Sequence, residues 1–185
     1  MKTTFLLFIF ISLSIFSNAQ SIADSVVMPL TREQKKAAKA AEQQLLFENT
    51  VALLNSKAYV LEAQFLSGRS GYRYIASSTL NFIRVDSTSI VLQIGSNNRL
   101  GYNGVGGVTV KGHITTYKLE INEKRKTFYL RLNLTCNSGA YDVFMDGNAS
   151  GHTIATVTGI YPGSVTYDGQ LVPLQESRVY EGQSY

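Results

Sequence analysis

The sequence predicts an α+β, mainly β fold: an N-terminal helix packed on an antiparallel meander of about eight to ten strands, curled into a small closed or nearly closed barrel. Three observations carry that prediction. Apolar residues from Tyr59 onward recur at every second position, the period of a strand with one face in a core and one in water. Turn signals part these runs at short intervals, at Asp86-Ser87-Thr88, Glu123-Lys124-Arg125, Asn137-Ser138-Gly139, Asp146-Gly147-Asn148 and Pro162-Gly163. Connections that short join antiparallel neighbours, because a parallel crossover needs a dozen residues or more. One stretch has helical character, and it precedes every strand. A long meander leaves two open edges, and closing it into a barrel removes both.

The chain begins with Lys2, an apolar run from Phe5 to Phe16, and the small residues Ser17-Asn18-Ala19. That order marks residues 1–19 as a secretory signal peptide cleaved between Ala19 and Gln20. Twelve residues of helix reach about 18 Å, against a hydrocarbon core of about 30 Å, which disfavours an uncleaved anchor. A lipoprotein needs cysteine just after the cut, where this chain has Gln20. The mature chain is therefore expected in the periplasm or outside the cell, not as a lipoprotein and without a membrane span. Residues 20–30 read as a flexible leader, 31–171 as a single helix-plus-β domain, and 172–185 as a polar C-terminal tail in which Val179-Tyr180 could dock on the sheet.

Thr31 and Gln34 fit a capping box, and Pro29 discourages an earlier start, so the helix is expected from Thr31 to about Asn55. Its first half, Lys35 to Ala41, is rich in alanine and forms helix on propensity. Leu46, Phe47, Val51, Leu53 and Leu54 in its second half make a stripe that must pack on something. The strands follow. Tyr59, Leu61, Ala63 and Phe65 share one face, and Ile90, Leu92 and Ile94 alternate about Gln93. Tyr117, Leu119 and Ile121 come next, then the clearest case, Phe128, Leu130, Leu132, Leu134 and Cys136. Tyr141, Val143 and Met145 precede runs at 154–158 and 165–171. Bulky inward residues predict a packed interior.

Composition excludes several classes. About 166 residues after the signal make one domain, able to bury roughly 70% of its unfolded surface. One cysteine permits no internal disulfide. The net charge of +4 is mild and its basic residues are dispersed, whereas a nucleic-acid surface gathers them on one face. Zinc needs clustered Cys and His, and two scattered histidines with Cys136 do not supply it. Asp142, Asp146 and Gly147 echo a calcium loop, but Phe144 stands at a ligand position. No metal or cofactor is expected.

Catalysis finds little support. Cys136 ends an apolar strand face and reads as a buried small hydrophobe. His113 continues a polar alternation, and His152 follows a turn glycine. The glycine–serine stretches at 68–71 and 147–151 miss the nucleophile-elbow register. A hydrolase built from a serine, His152 and Asp142 or Asp168 is the least favoured reading. The better candidate is the loop from Gly95 to Gly107, long for a hairpin connection. Its Asn97, Asn98, Arg99 and Tyr102 offer amide, guanidinium and phenol groups suited to a sugar, a peptide backbone or an anion. The bland alternative is that its glycines allow a bulged path across a barrel rim. Arg69, Tyr72, Arg73 and Tyr74 form a second patch, from which Tyr72 and Arg73 are further candidates, although exposed strand tyrosines are also ordinary cross-strand partners.

Several stretches together carry a family resemblance over about residues 39–171. They are Asn55-Ser56-Lys57-Ala58-Tyr59-Val60-Leu61-Glu62-Ala63, Tyr102-Asn103-Gly104-Val105-Gly106-Gly107-Val108 with Lys111-Gly112 beyond, Asn122-Glu123-Lys124, Tyr141-Asp142-Val143-Phe144 and Val165-Thr166-Tyr167-Asp168-Gly169. In these the chain resembles the exported bacterial domain-of-unknown-function family numbered 4251. The resemblance implies an exported helix-plus-β domain and no particular reaction. It departs from the family pattern at Gly95-Ser96-Asn97-Asn98-Arg99-Leu100-Gly101-Tyr102, where relatives carry Gly-Arg-x-Tyr and Pro-Tyr. The expected function is thus an exported non-enzymatic β domain that binds a small molecule, a glycan or an envelope protein through its glycine-rich loop. The alternative is a structural or assembly factor of the cell envelope.

Overall fold

The computed structural model describes residues 31–96, 103–159 and 163–184. It opens with helix α1 (Arg32–Ser56), capped as the sequence predicts. The Thr31 hydroxyl accepts from the Gln34 amide, and the Gln34 side chain accepts from the Thr31 amide. Lys57 ends the helix in the left-handed region, φ 52°. The buried stripe is narrower than the sequence suggests and turned about the axis. Phe47, Thr50 and Leu54 are buried, whereas Leu46 is exposed and Val51 and Leu53 are half-buried.

Nine antiparallel strands follow: β1 (Ala58–Gly68), β2 (Arg73–Ile75), β3 (Phe82–Asp86), β4 (Ser89–Ile94), β5 (Val108–Asn122), β6 (Thr127–Cys136), β7 (Gly139–Asn148), β8 (His152–Thr158) and β9 (Ser164–Pro173). Each of β3 to β8 pairs with the next, and β9 returns to β1 from Tyr59↔Pro173 to Gly68↔Val165. That last pairing closes an eight-stranded barrel, so the meander keeps no long open edge. The short β2 lies beyond β3 against the far half of β1. Eight strands make a barrel whose interior side chains can fill it.

The alternation of Phe128, Leu130, Leu132 and Leu134 places all four in that interior, beside Tyr59, Leu61, Ile83, Val85, Ile90, Val143 and Met145. One face assignment differs from the sequence reading. A bulge between Ala63 and Phe65 flips the end of β1, so Leu66 joins the core and Phe65 turns outward opposite Asp168. Cys136, expected to be buried, is half-buried at its strand end, its thiol 3.1 Å from the Ser138 hydroxyl.

Helix α1 closes one end of the barrel. Leu54 enters the core, and the Tyr117 hydroxyl, 3.5 Å from that of Tyr59, donates to the Leu54 carbonyl at 2.5 Å. Thr50 donates to the Ala149 carbonyl in the β7–β8 turn, and Lys126 of the β5–β6 turn sits 5.3 Å from the Phe47 ring centre. Residues 174–184 run as a strap over the outside of β1, β3 and β4, covering Val60, Phe82 and Val91 with Leu174 and Val179. Glu181 on the strap pairs with Arg84 of β3 at 2.7 Å and with Lys111 of β5.

Candidate functional site

At the end of the barrel opposite the helix, described residues line an apolar pocket. Inward residues of five strands line it: Leu92 and Ile94 of β4, Val110 of β5, Tyr141 of β7, Val157 of β8, and Val165 and Tyr167 of β9. Gly159 and Gly163 stand at its rim, and its volume is about 230 Å³. The packed interior that the sequence predicts therefore holds from the helix end to about Tyr167 and gives way at the mouth. The reason is residue size: valines and glycines replace the leucines, phenylalanine and methionine that fill the deeper layers.

Two phenol-bearing residues, Tyr141 and Tyr167, are part of its lining. Tyr167 is buried, and no described residue hydrogen-bonds its hydroxyl. Burial holds its pKa far above the ordinary phenol value, which keeps it a neutral hydrogen-bond donor.

A buried polar network anchors the base of the glycine-rich loop beside the mouth. Gln93 donates to the carbonyls of Leu80 and Tyr180, and its amide oxygen accepts from Thr109 and from the Gly182 backbone. Asn103 accepts from the amides of Val105 and Gly107 and donates to Thr109 and to the Ile94 carbonyl. Asn81 holds the Gly95 amide at 2.9 Å. A side chain on Gly107 would overlap the Ile94 carbonyl, so the loop can re-enter β5 this closely only at glycine. Polar satisfaction of this kind fixes a loop base rigidly.

The sequence-predicted site residues divide in two. Asn97, Asn98, Arg99 and Tyr102, like the expected cleavage site at Ala19 and Gln20, lie outside the described residues. Tyr72 and Arg73 sit on β2 and its approach, on the outside, and neither lines the mouth. Tyr72 is 70% exposed. Arg73 stacks 3.6 Å from the Phe65 ring centre and pairs with Asp168 at 2.6 Å, so its charge is engaged within the sheet.

Asp168 also holds His152, Nε2 to Oδ1 at 2.9 Å. Two of the three hydrolase residues considered from the sequence thus meet, while Asp142 bonds Asn133 elsewhere. A base needs a nucleophile within hydrogen-bond reach. Ser150, the serine nearest His152 in the chain, donates to Asn148 instead. Among the described residues no cluster of three or more His, Cys, Asp or Glu could hold a metal, and no helix is long and apolar enough to cross a membrane. The mouth pocket and its phenol were not visible in the sequence. The signal that points to them is the small side chains of Val157, Gly159, Gly163 and Val165.

Fold and site together define a small antiparallel barrel, stoppered by a helix at one end and with an apolar pocket at the other. The chain belongs to the domain of unknown function family DUF4251, whose model matches residues 41–171, as its sequence resemblance implies. It is similar to the crystal structure of a DUF4251 family protein from Bacteroides eggerthii, with 26% identity and a TM-score of 0.62 over 78% of this chain and 99% of that one. None of the curated proteins matches the chain.

Proposed function

We propose that this protein is an exported, non-catalytic binding domain that holds a small, largely apolar molecule in the mouth of its barrel. The carrying observation is the apolar pocket of about 230 Å³ at the end opposite the helix. A cavity of about 150 Å³ lined by aliphatic side chains is known to take up benzene, so this one suits a single ring or a short acyl chain. The Tyr167 phenol supplies an orienting donor, which favours a ligand carrying a carbonyl or carboxylate acceptor. Burying roughly 150 Å² of apolar ligand contributes about 4 kcal/mol, and the hydrogen bond about 1 more. Association costs at least about 4 kcal/mol of this, so binding is weak and is read at high ligand concentration. Export rests on the N-terminal signal pattern, and the non-catalytic reading on a His152–Asp168 pair without an adjacent nucleophile.

The test uses mature protein, residues 20–185, titrated with toluene and with butanoic to octanoic acids while methyl resonances are followed. The expected result is saturable shifts at Val110, Val157 and Val165, abolished in Val157→Trp, with Tyr167→Phe weakening the acids but not toluene. Absence of shifts with every probe, or equal binding by Val157→Trp, rejects the pocket. N-terminal sequencing of protein from the expressing cells should begin at Gln20; an intact Met1 rejects export.

A further inference from the structure

A second cavity, of about 570 Å³, lies on the outer face of the barrel at the β5–β8 side, well within the size range of small-ligand sites. Its centre is a cross-strand row. Glu120 of β5 faces Tyr129 of β6, Tyr129 faces Asp146 of β7, and Asp146 faces Ile154 of β8. These side chains alternate with the inward Phe128 and Leu130, so they stand on the outside. Tyr129 is 36% exposed and is braced from one side by Phe144, at 6.5 Å between ring centres and 25° between planes. The ring is thereby a fixed, partly exposed apolar platform flanked on both sides by a carboxylate.

The amides below this row are already oriented. The Asn122 side-chain oxygen accepts from the Arg125 backbone at 3.0 Å. The Asn148 side-chain oxygen accepts from the backbone and hydroxyl of Ser150, at 3.0 and 2.8 Å. Each asparagine spends its acceptor on a turn, and none of the described residues takes up its NH2 group. His152 is held in turn by Asp168 through Nε2, which leaves its other ring nitrogen facing outward from that bond. The cavity thus presents acceptors from two carboxylates and donors from two pinned amides. No lysine or arginine lines it, although Lys118, on the same strand as Glu120, pairs with that carboxylate at 3.1 Å.

That combination selects among ligand classes. Glu120 is matched by Lys118, whereas Asp146 has no ion-pair partner among the described residues and disfavours an anion beside it. An organic cation would use the carboxylates and leave both amide donors idle. A polyhydroxylated ligand uses both sets, since every hydroxyl donates once and accepts twice. A pyranose ring also has a flat C–H face to lay on Tyr129, an apolar contact that water cannot offer. We propose that this cavity binds neutral oligosaccharides, with Tyr129 as platform, Glu120 and Asp146 accepting from ring hydroxyls, and Asn122 and Asn148 donating to them. The site is distinct from the barrel mouth and does not depend on a ligand there. Because its donors are preorganised but open to solvent, millimolar binding to a short saccharide is expected.

The experiment titrates isotope-labelled mature protein separately with maltotriose, chitotriose, xylotriose and mannotriose, and reads backbone amide shifts. The expected result is saturable shifts at Tyr129, Asp146 and Asn148 with at least one of the four. Asp146→Asn and Tyr129→Ala should each weaken that binding about tenfold, and Val157→Trp in the barrel mouth should leave it unchanged. Should Tyr129→Ala fail to fold, the near-isosteric Asp146→Asn decides. Silence with all four sugars at millimolar concentration overturns the proposal. So do shifts confined to another surface, undiminished binding by Asp146→Asn, or displacement of the sugar by spermidine without loss in Asp146→Asn.

Discussion

The side chain of Gln93 and the backbone of Tyr180, 87 positions apart in the chain, are joined by a hydrogen bond of 2.8 Å on the outside of the barrel. The sheet face that would ordinarily meet water at β4 instead meets the C-terminal strap. Gln93 satisfies four groups there: the Leu80 and Tyr180 carbonyls, the Thr109 hydroxyl and the Gly182 amide. Replacing Gln93 by leucine takes the side-chain partner from the Leu80 and Tyr180 carbonyls and the Gly182 amide, while Thr109 keeps Asn103, each lost bond costing about 1–3 kcal/mol less what water recovers. Gln93→Leu is expected to lower unfolding free energy by about 3 kcal/mol in urea titrations. In a chain ending at Leu174 the same substitution should cost under about 1 kcal/mol, because the groups are then open to water. Equal losses in both backgrounds would show that the strap is not the partner that matters.

Closure of the barrel makes a second prediction. Gly169 on β9 pairs with Ala63 at the bulge of β1, and a side chain there would overlap the Glu62 carbonyl. Backbone cannot give way as a flexible side chain can, so Gly169→Ala must part the two strands or distort the bulge. A loss of about 2–4 kcal/mol is expected. Gly163→Ala serves as the comparison: no described residue lies within 4 Å of its added carbon, and its cost should stay below about 0.5 kcal/mol.

These two sites also explain what was legible in the sequence. Phe128 to Cys136 alternates because one face of β6 is core and the other is water, and the strand follows directly from that pattern. Phe82 to Val85 shows no alternation, since the strap buries the outer face of β3 as the core buries the inner one. Gln93 reads as a wet residue for the same reason in reverse: the segment that covers it lies 87 positions away and has no local signature. The bulge after Ala63 inverts the face of Phe65 without a glycine to announce it. On α1, Thr50 replaces Leu46 in the contact because its hydroxyl meets the Ala149 carbonyl, a partner defined only by the closed barrel. Candidate site residues suffered similarly. Arg73 offers a free guanidinium in the sequence and a paired one in the fold. The Tyr129 platform takes its meaning from neighbours on two other strands.

Three buried phenols predict an alkaline limit to stability. Burial raises the pKa of Tyr59 well above its ordinary value, with Tyr117 adding to the shift, and burial likewise raises Tyr117 and Tyr167. Above pH of about 10 the unfolded chain releases these protons while the folded chain retains them. The folded state then binds more protons, so stability falls as pH rises. Between about pH 7 and 9 both states are protonated and these residues contribute no pH dependence. Guanidinium unfolding should therefore be flat over that range for this contribution and weaken steeply above about pH 10. Tyr167→Phe, which removes one such proton, should make the alkaline fall measurably shallower. An identical slope in the variant would mean that Tyr167 is not the group retaining its proton.

The capping box of α1 predicts a loss that stays local. Thr31 and Gln34 exchange backbone-to-side-chain hydrogen bonds, yet residues 32–43 are exposed all along the first half of the helix. That half contributes no side chain to the barrel end, where Phe47, Thr50 and Leu54 dock. A lost cap costs about 1 kcal/mol. Since the first turns can open without disturbing the docked half, that cost belongs to a local opening rather than to global unfolding. Thr31→Ala should accelerate amide exchange in the first helical turns about fivefold, as at Lys35, whose amide bonds the Thr31 carbonyl at 2.9 Å. Protection at Leu54, where opening requires the core to part, should not change. If exchange at Leu54 rises by the same factor, the helix opens as a single unit, and its exposed half is coupled to the barrel more tightly than its contacts account for.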